Sequence, residues 1–187
     1  MSIARDLLGK IVVTRFGGFK TAGRIVETEA YAGITDKASH AYGGRRTLKN
    51  EHMYQGPGTA YIYVCYGMHQ MLNVVTNAEG IPDAVLIRAL QPLEGLDHMG
   101  ERTGKDPGDP SICRGPGNVG KALGIHRINS GLPLKGNEIY LAEDGFNVRP
   151  GEIGVGKRIG VESAGADALL PYRFFVRGNK FVSGRKS

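Results

Sequence analysis

The stretch that most restricts what this chain can fold into is Arg24-Ile25-Val26-Glu27-Thr28-Glu29-Ala30-Tyr31. Its β-branched, apolar start reads as a strand. A strand sends alternate side chains to opposite faces. Ile25, Glu27, Glu29 and Tyr31 then share one face, and Arg24, Val26, Thr28 and Ala30 the other. Two carboxylates on so apolar a strand are costly if buried without partners. Taken alone, the run is better read as an edge strand with its glutamates in water. A second run, Tyr61-Ile62-Tyr63-Val64-Cys65-Tyr66-Gly67-Met68-His69, alters that balance because it sets several aromatics on a hairpin.

The 187 residues suit one domain with a substantial core. The net charge of +6 favours a polyanionic partner, though weakly by itself. A carboxylate near an aromatic slot in a basic chain points to chemistry on a base within nucleic acid. No apolar run is long enough to span a bilayer. The N-terminus, Met1 to Leu8, is too polar for a signal peptide, so a soluble intracellular protein is expected. Cys65 and Cys113 form no CxxC, and Cys65 reads as a small core residue. The five histidines (His40, His52, His69, His98, His126) show no ligand spacing, so no metal is expected. The 29 glycines imply many tight turns and close backbone approaches.

Along the chain, residues 2–9 read as a short helix with Ser2 as N-cap and Gly9 as stop. Strands at 11–14 and 20–31 pair as a hairpin. Residues 32–58 form a long polar loop, functional or disordered. In it, Arg45, Arg46 and Lys49 are either solvated surface or phosphate contacts. Strands at 61–65 and 71–76 form a second hairpin with Tyr66, Met68 and His69 at its tip. Such bulk at a tip either packs on a neighbouring loop or wedges into a duplex. The strand 84–90 reads as buried, and its Arg88 needs a partner. A structural pairing with Glu27 or Glu94 competes there with a catalytic role. Pro92 opens a helix over 92–99, and Gly115-Pro116-Gly117-Asn118 opens another over 119–124. Strands at 138–142, 158–161 and 174–176 follow, then a loose basic tail at 184–187.

Gly23-Arg24-Ile25-Val26-Glu27-Thr28-Glu29-Ala30-Tyr31 resembles the alkyladenine (3-methyladenine) DNA glycosylase family. So do Ala38-Ser39-His40, Gly43-Gly44-Arg45, Pro57-Gly58-Thr59, Tyr63, Tyr66-Gly67-Met68, Asn73 and the run from Leu86 to Gly95. The likeness resumes at Cys113-Arg114-Gly115-Pro116 and from Tyr172 to Gly178, covering nearly the whole chain in order. It implies a single α+β domain with a curved antiparallel sheet, surrounding short helices and a protruding β-hairpin. It also implies hydrolytic excision of damaged purines, without metal or cofactor, by a monomer acting on double-stranded DNA and no membrane. By matching position, Glu29 is the general base and Arg88 an active-site arginine beside it. Tyr31, His40 and Tyr63 sandwich the flipped base, and Asn73 disfavours a 2-amino purine. Tyr66 fills the gap in the stack, with Met68, His69 and Arg45 as further DNA contacts. His69 stands where a tyrosine is expected, and Gly117-Asn118 where a serine–lysine pair is expected.

The residue chemistry agrees with that set. A base inside a duplex is reached by extrusion. Aromatic stacking is worth roughly 1–3 kcal/mol per base, and a cationic alkylpurine gains cation–π attraction as well. Loss of the purine leaves an oxocarbenium-like sugar that a carboxylate can stabilise. No lysine occupies a nucleophile position of the family, so hydrolysis to an abasic site is expected. Two rivals remain: a non-catalytic nucleic-acid-binding domain in which Glu29 is structural, and a nucleosidase acting on free nucleosides.

Overall fold

Thirteen residues, Phe19–Tyr31, form the strand β2. The computed structural model describes residues 1–184 and places β2 at the centre of the sheet. Along one edge β2 pairs with β5 (Ala84–Glu94). Its other edge pairs first with β1 (Ile11–Phe16), through Phe19 to Arg24, and then with β8 (Arg173–Val176), through Glu27 to Glu29. The expected edge strand is therefore overturned: residues 21 to 30 of β2 are all buried. Covering both edges satisfies the backbone of β2 but leaves its two glutamates out of reach of water.

The antiparallel sheet is curled and runs β3 (Ala60–Cys65), β4 (His69–Val75), β5, β2, β1, β6 (Ile139–Ala142), with β7 (Ile153–Gly156) added beside β8. Short helices surround it in one α+β domain: α1 (Ser2–Asp6), α2 (Leu96–Thr103) and α3 (Pro116–Ala122). Ala4, Leu7, Leu8, Ile25, Ile87, Leu90, Met99, Leu123 and Phe174 belong to one buried core.

The register of β2 against β5 slips on both sides of Glu27. Ile25 faces Leu90 and Glu27 faces Ala89, so Val26 is an extra residue on β2. Thr28 then faces Ile87, which makes Arg88 the extra residue on β5. The slips break simple alternation. Ile25 packs in the core, whereas Glu27, two residues on, meets Arg88 and Arg173. The single shared face expected for Ile25, Glu27 and Glu29 does not form, and Arg88 is delivered to both glutamates.

Other boundaries also move. The first helix ends at Asp6, and Met1, not Ser2, precedes it as the cap residue. Pro92 opens no helix: β5 runs on to Glu94, and Pro92, opposite Gly23, lies beside a further register slip, the kind of irregular position a strand proline takes. The helix begins at Leu96, after Gly95 with φ +75°. The next helix starts earlier than expected, at Pro116. Residues 158–161 are not a strand, because Arg158 is drawn onto Asp36 and the strand before it is β7. Residues 32–58 fold into three 3-10 turns, tied together by Asn50 through His40, Arg45 and Thr47. Cys65 is half-buried rather than a core residue. Of the expected basic tail only Gly184 is among the described residues.

The hairpin of β3 and β4 projects because only Asn73 to Val75 of β4 pair with β5. Helix α3 braces its free part: a methyl on Gly120 would sit 2.0 Å from the Gln70 carbonyl oxygen. Gly120→Ala gains helix propensity of about 1 kcal/mol but overpacks this contact. A net loss of roughly 1–3 kcal/mol is expected from urea denaturation; an unchanged midpoint would mean that α3 slides freely over β4.

Candidate active site

Glu29 is fully shielded from solvent and has three donors. The Tyr31 hydroxyl donates to Oε2 at 2.9 Å, the Ile159 N–H donates to Oε1 at 2.8 Å, and Arg88 Nη1 lies 3.2 Å from Oε1. Burial raises the pKa of Glu29, opposed first by the charge of Arg88 and then by the two hydrogen bonds. Tyr31 is also held well above its ordinary value by burial and by the adjacent carboxylate, so its hydroxyl stays a donor. Of the two partners left open for Arg88, Glu27 is the one found, at 3.3 Å, together with Glu29; Glu94 pairs with Lys20 instead.

Tyr31, His40, Tyr63, Asn73, Arg88, Tyr66 and Arg45 all line one cleft of about 1090 Å³. His40 meets Tyr63 edge to face, with ring centroids 4.4 Å apart, and its Nδ1 is 2.7 Å from the Tyr61 hydroxyl. Burial lowers the pKa of His40, and the charge of Arg45 adds to this, so the ring is neutral near pH 7. The Asn73 amide donates to the carbonyls of Tyr61 and Met71, which fixes its orientation. The Arg158 guanidinium lies 4.8 Å from the Tyr31 ring centroid and is itself paired with buried Asp36.

At the hairpin tip, Tyr66 is 87% exposed and has φ +50°, with Gly67 following at φ +71°. Two left-handed residues in succession fit a tight hairpin turn, but a tyrosine there costs about 1–2 kcal/mol. Met68 is 63% exposed. His69 is different. It is the first residue of β4, paired with Cys65, and its ring lies against the backbone of Gly117. It is therefore not a free tip residue, and the glycine at 117 is what makes room for it. Arg46, offered as a phosphate contact, is bound to Glu51. Among the described residues, no cluster of three or more His, Cys, Asp or Glu side chains could hold a metal.

Residues 1–180 match the family described as Methylpurine-DNA glycosylase (MPG). The chain belongs to that family. Relatives whose names carry the words "3-methyladenine DNA glycosylase" are 42% identical to it in Clostridium acetobutylicum, Desulfitobacterium hafniense and Bacillus licheniformis. The first two alignments cover 97% of this chain and the third 98%, with 91%, 92% and 91% of the respective relatives. The enzyme is thus a hydrolase of N-glycosyl bonds, and DNA is its substrate.

Several residues in or behind this glycosylase's cleft are not evident from the sequence. Tyr61 could have been found, since strand alternation puts it on the face of Tyr63. Arg158 and the Ile159 amide could not, because they reach Glu29 and Tyr31 from 130 residues away in a segment that reads as a strand. A carboxyl whose pKa rises on folding costs stability as pH climbs from its unfolded value through its folded one, and costs nothing in acid. Glu29→Gln imitates the protonated group. It is expected to raise Tm at neutral pH and to change it little in acid. Thermal scans at both conditions check this. A variant less stable at both would mean that hydrogen bonds to the ionised form outweigh its burial.

Proposed function

We propose that the enzyme extrudes alkylated or deaminated purines, of the 3-methyladenine, hypoxanthine and ethenoadenine class, from duplex DNA and hydrolyses the N-glycosidic bond to leave an abasic site. The observation that carries this reading is Glu29. A fully buried carboxylate with three donors adjoins an aromatic cleft whose wall includes Arg45, Arg88 and Arg127.

In the proposed reaction the purine stacks among Tyr31, His40 and Tyr63. Neutral His40 and the ring faces tolerate a cationic alkylpurine, which leaves as a neutral base with the electrons of the C1′–N bond. Glu29 stabilises the cationic sugar, takes a proton from water, and the water oxygen bonds to C1′. The raised pKa of Glu29 suits it to accept that proton. Arg88 and the Ile159 amide hold the carboxylate in place. Asn73, its Nδ2 bound to the Tyr61 and Met71 carbonyls, narrows the pocket and rejects a 2-amino group by shape. Tyr66 fills the vacancy in the stack, and its strained, exposed placement supports this role. Met68 and Arg45 make the accompanying DNA contacts, with His69 bracing the hairpin from behind. The proposed acting unit is a monomer.

The test is release of hypoxanthine and of 3-methyladenine from duplex oligonucleotides, with abasic sites revealed by alkali. Wild type is expected to release base, with a rate that falls as salt rises. Glu29→Gln is expected to lose roughly 10²–10⁴-fold in rate while keeping duplex affinity. Binding without release by wild type would leave a non-catalytic DNA-binding domain as the better account. Cleavage of free inosine, indifferent to duplex and salt, would favour a nucleosidase.

A further inference from the structure

Glu27 has no part in the reaction as described, yet it is as deeply buried as Glu29. Its Oε1 accepts from Arg173 Nε at 2.6 Å and from Arg88 Nε at 3.3 Å, and its Oε2 accepts from the Ser183 N–H at 2.7 Å. Ser183 uses all of its polar groups in this network. Besides that N–H, its hydroxyl oxygen accepts from Arg88 Nη2 at 3.2 Å and its carbonyl accepts from Arg173 Nη2 at 2.7 Å. The Arg88 guanidinium is thus gripped at three corners: Nε by Glu27, Nη2 by Ser183, and Nη1 by Glu29. The segment continues toward the site, since a methyl on Gly184 would lie 3.0 Å from the Ile159 side chain. Ile159 supplies the other fixed donor to Glu29.

We propose that Glu27 is a positioning residue for base excision: together with Ser183 it locks the Arg88 guanidinium so that Nη1 addresses Glu29. A planar guanidinium held at Nε and Nη2 has little freedom left at Nη1. The inference rests on the reading of Glu29 as general base. Glu27 also bears on the charge of Glu29. The groups facing Glu29 are Tyr31 and Glu27 on β2, Arg88 on β5, Tyr63 on β3, and Arg158 with the Ile159 amide after β7. Arg88 favours ionisation of Glu29, but does so least when its own charge is shared with Glu27, and Glu27 itself pushes the Glu29 pKa upward.

The test is the pH dependence of single-turnover release of 3-methyladenine from methylated duplex DNA, a substrate that is already cationic and needs no acid. Glu27→Gln is expected to move the acid limb to lower pH by about one unit. The plateau rate should fall roughly tenfold as Arg88 loosens, with duplex affinity unchanged. A loss of folded protein lowers the rate at every pH but leaves the limb where it is. A limb superimposed on that of wild type therefore overturns the proposal. Should Glu27→Gln fail to fold, Ser183→Ala decides, because it removes only the hydroxyl on Arg88 Nη2. A several-fold lower plateau at unchanged duplex affinity supports the lock, and a wild-type plateau overturns it. Wild type and Glu29→Gln are run alongside. No release by wild type, or full activity of Glu29→Gln, defeats the reading of Glu29 itself, whereas an inactive Glu29→Gln beside an unmoved Glu27→Gln limb defeats only the lock.

Discussion

Arg88 stands between two glutamates that see no solvent, and much of this structure serves that arrangement. Each buried carboxylate costs several kcal/mol unless its lone pairs are met. Two of them, two residues apart on one strand, also repel. One guanidinium cannot satisfy both, so Arg173 is added from β8 and amide donors from Ile159 and Ser183. All of these come from the last thirty residues of the described chain. Strand β8 takes up the edge of β2 that β1 leaves free, and this brings Arg173 to Glu27. The sheet topology is, in this sense, a means of carrying donors to the middle of β2.

The same arrangement explains why the pocket is stiff. Tyr31 donates to Glu29 and carries Arg158 over its ring, and Arg158 is fixed by Asp36 and by the carbonyls of Ala30 and Asp167. The hydrogen bonds of Arg158 overcome the burial of Asp36 and hold its carboxyl below the ordinary range. His40 is set by Tyr61, and Asn73 by two carbonyls. Tyr31, His40 and Asn73 are thus each oriented by hydrogen-bonded partners. Preorganisation of this kind lets charged groups act without reorganising during the reaction.

What the sequence made legible follows the range of the interactions involved. The hairpins and the aromatic face of β3 depend on local alternation and turn glycines, and both emerged from the residues. The identities of Glu29, Tyr31, His40, Tyr63, Asn73 and Arg88 came through the resemblance, and the fold gathers them at one cleft or, for Glu29, directly behind it. The burial of β2 was not legible, because whether a strand is central depends on partners more than 50 and more than 140 residues away. The register slips at Val26 and Arg88 are equally silent, since a slip is a property of two strands together. Pro92 misled for a related reason. It carries a helix-start signal and also fits a strand wherever the ladder skips a donor, and only the pairing decides. His69 read as a tip residue because its neighbours Tyr66 and Met68 are; the difference is made by Gly117, on a helix packed from elsewhere.

The fixed position of Glu29 has a consequence for how a substrate can meet it. Glu29 lies on the innermost strand, with neighbours on both edges, and its pairing with Leu86 and Arg173 leaves it no path toward the surface. Groups carried on loops can travel to a bound substrate, but this carboxylate cannot. On the proposed reading, the base must therefore do the travelling, and the cost of its leaving the stack has to be met where the protein is exposed. The hairpin is where the structure spends strain: Tyr66 is the one non-glycine residue with positive φ among the described residues, at the end of a ribbon that outruns its neighbouring strand. Gly67 lets the turn close, and α3 holds the ribbon from behind through Gly117 and Gly120. An interior carboxylate fixed by its donors and an exposed aromatic tip are, on the proposed reading, two halves of one requirement. On that reading, a chain that buries its reacting group this deeply needs a separate device to bring the reacting bond to it.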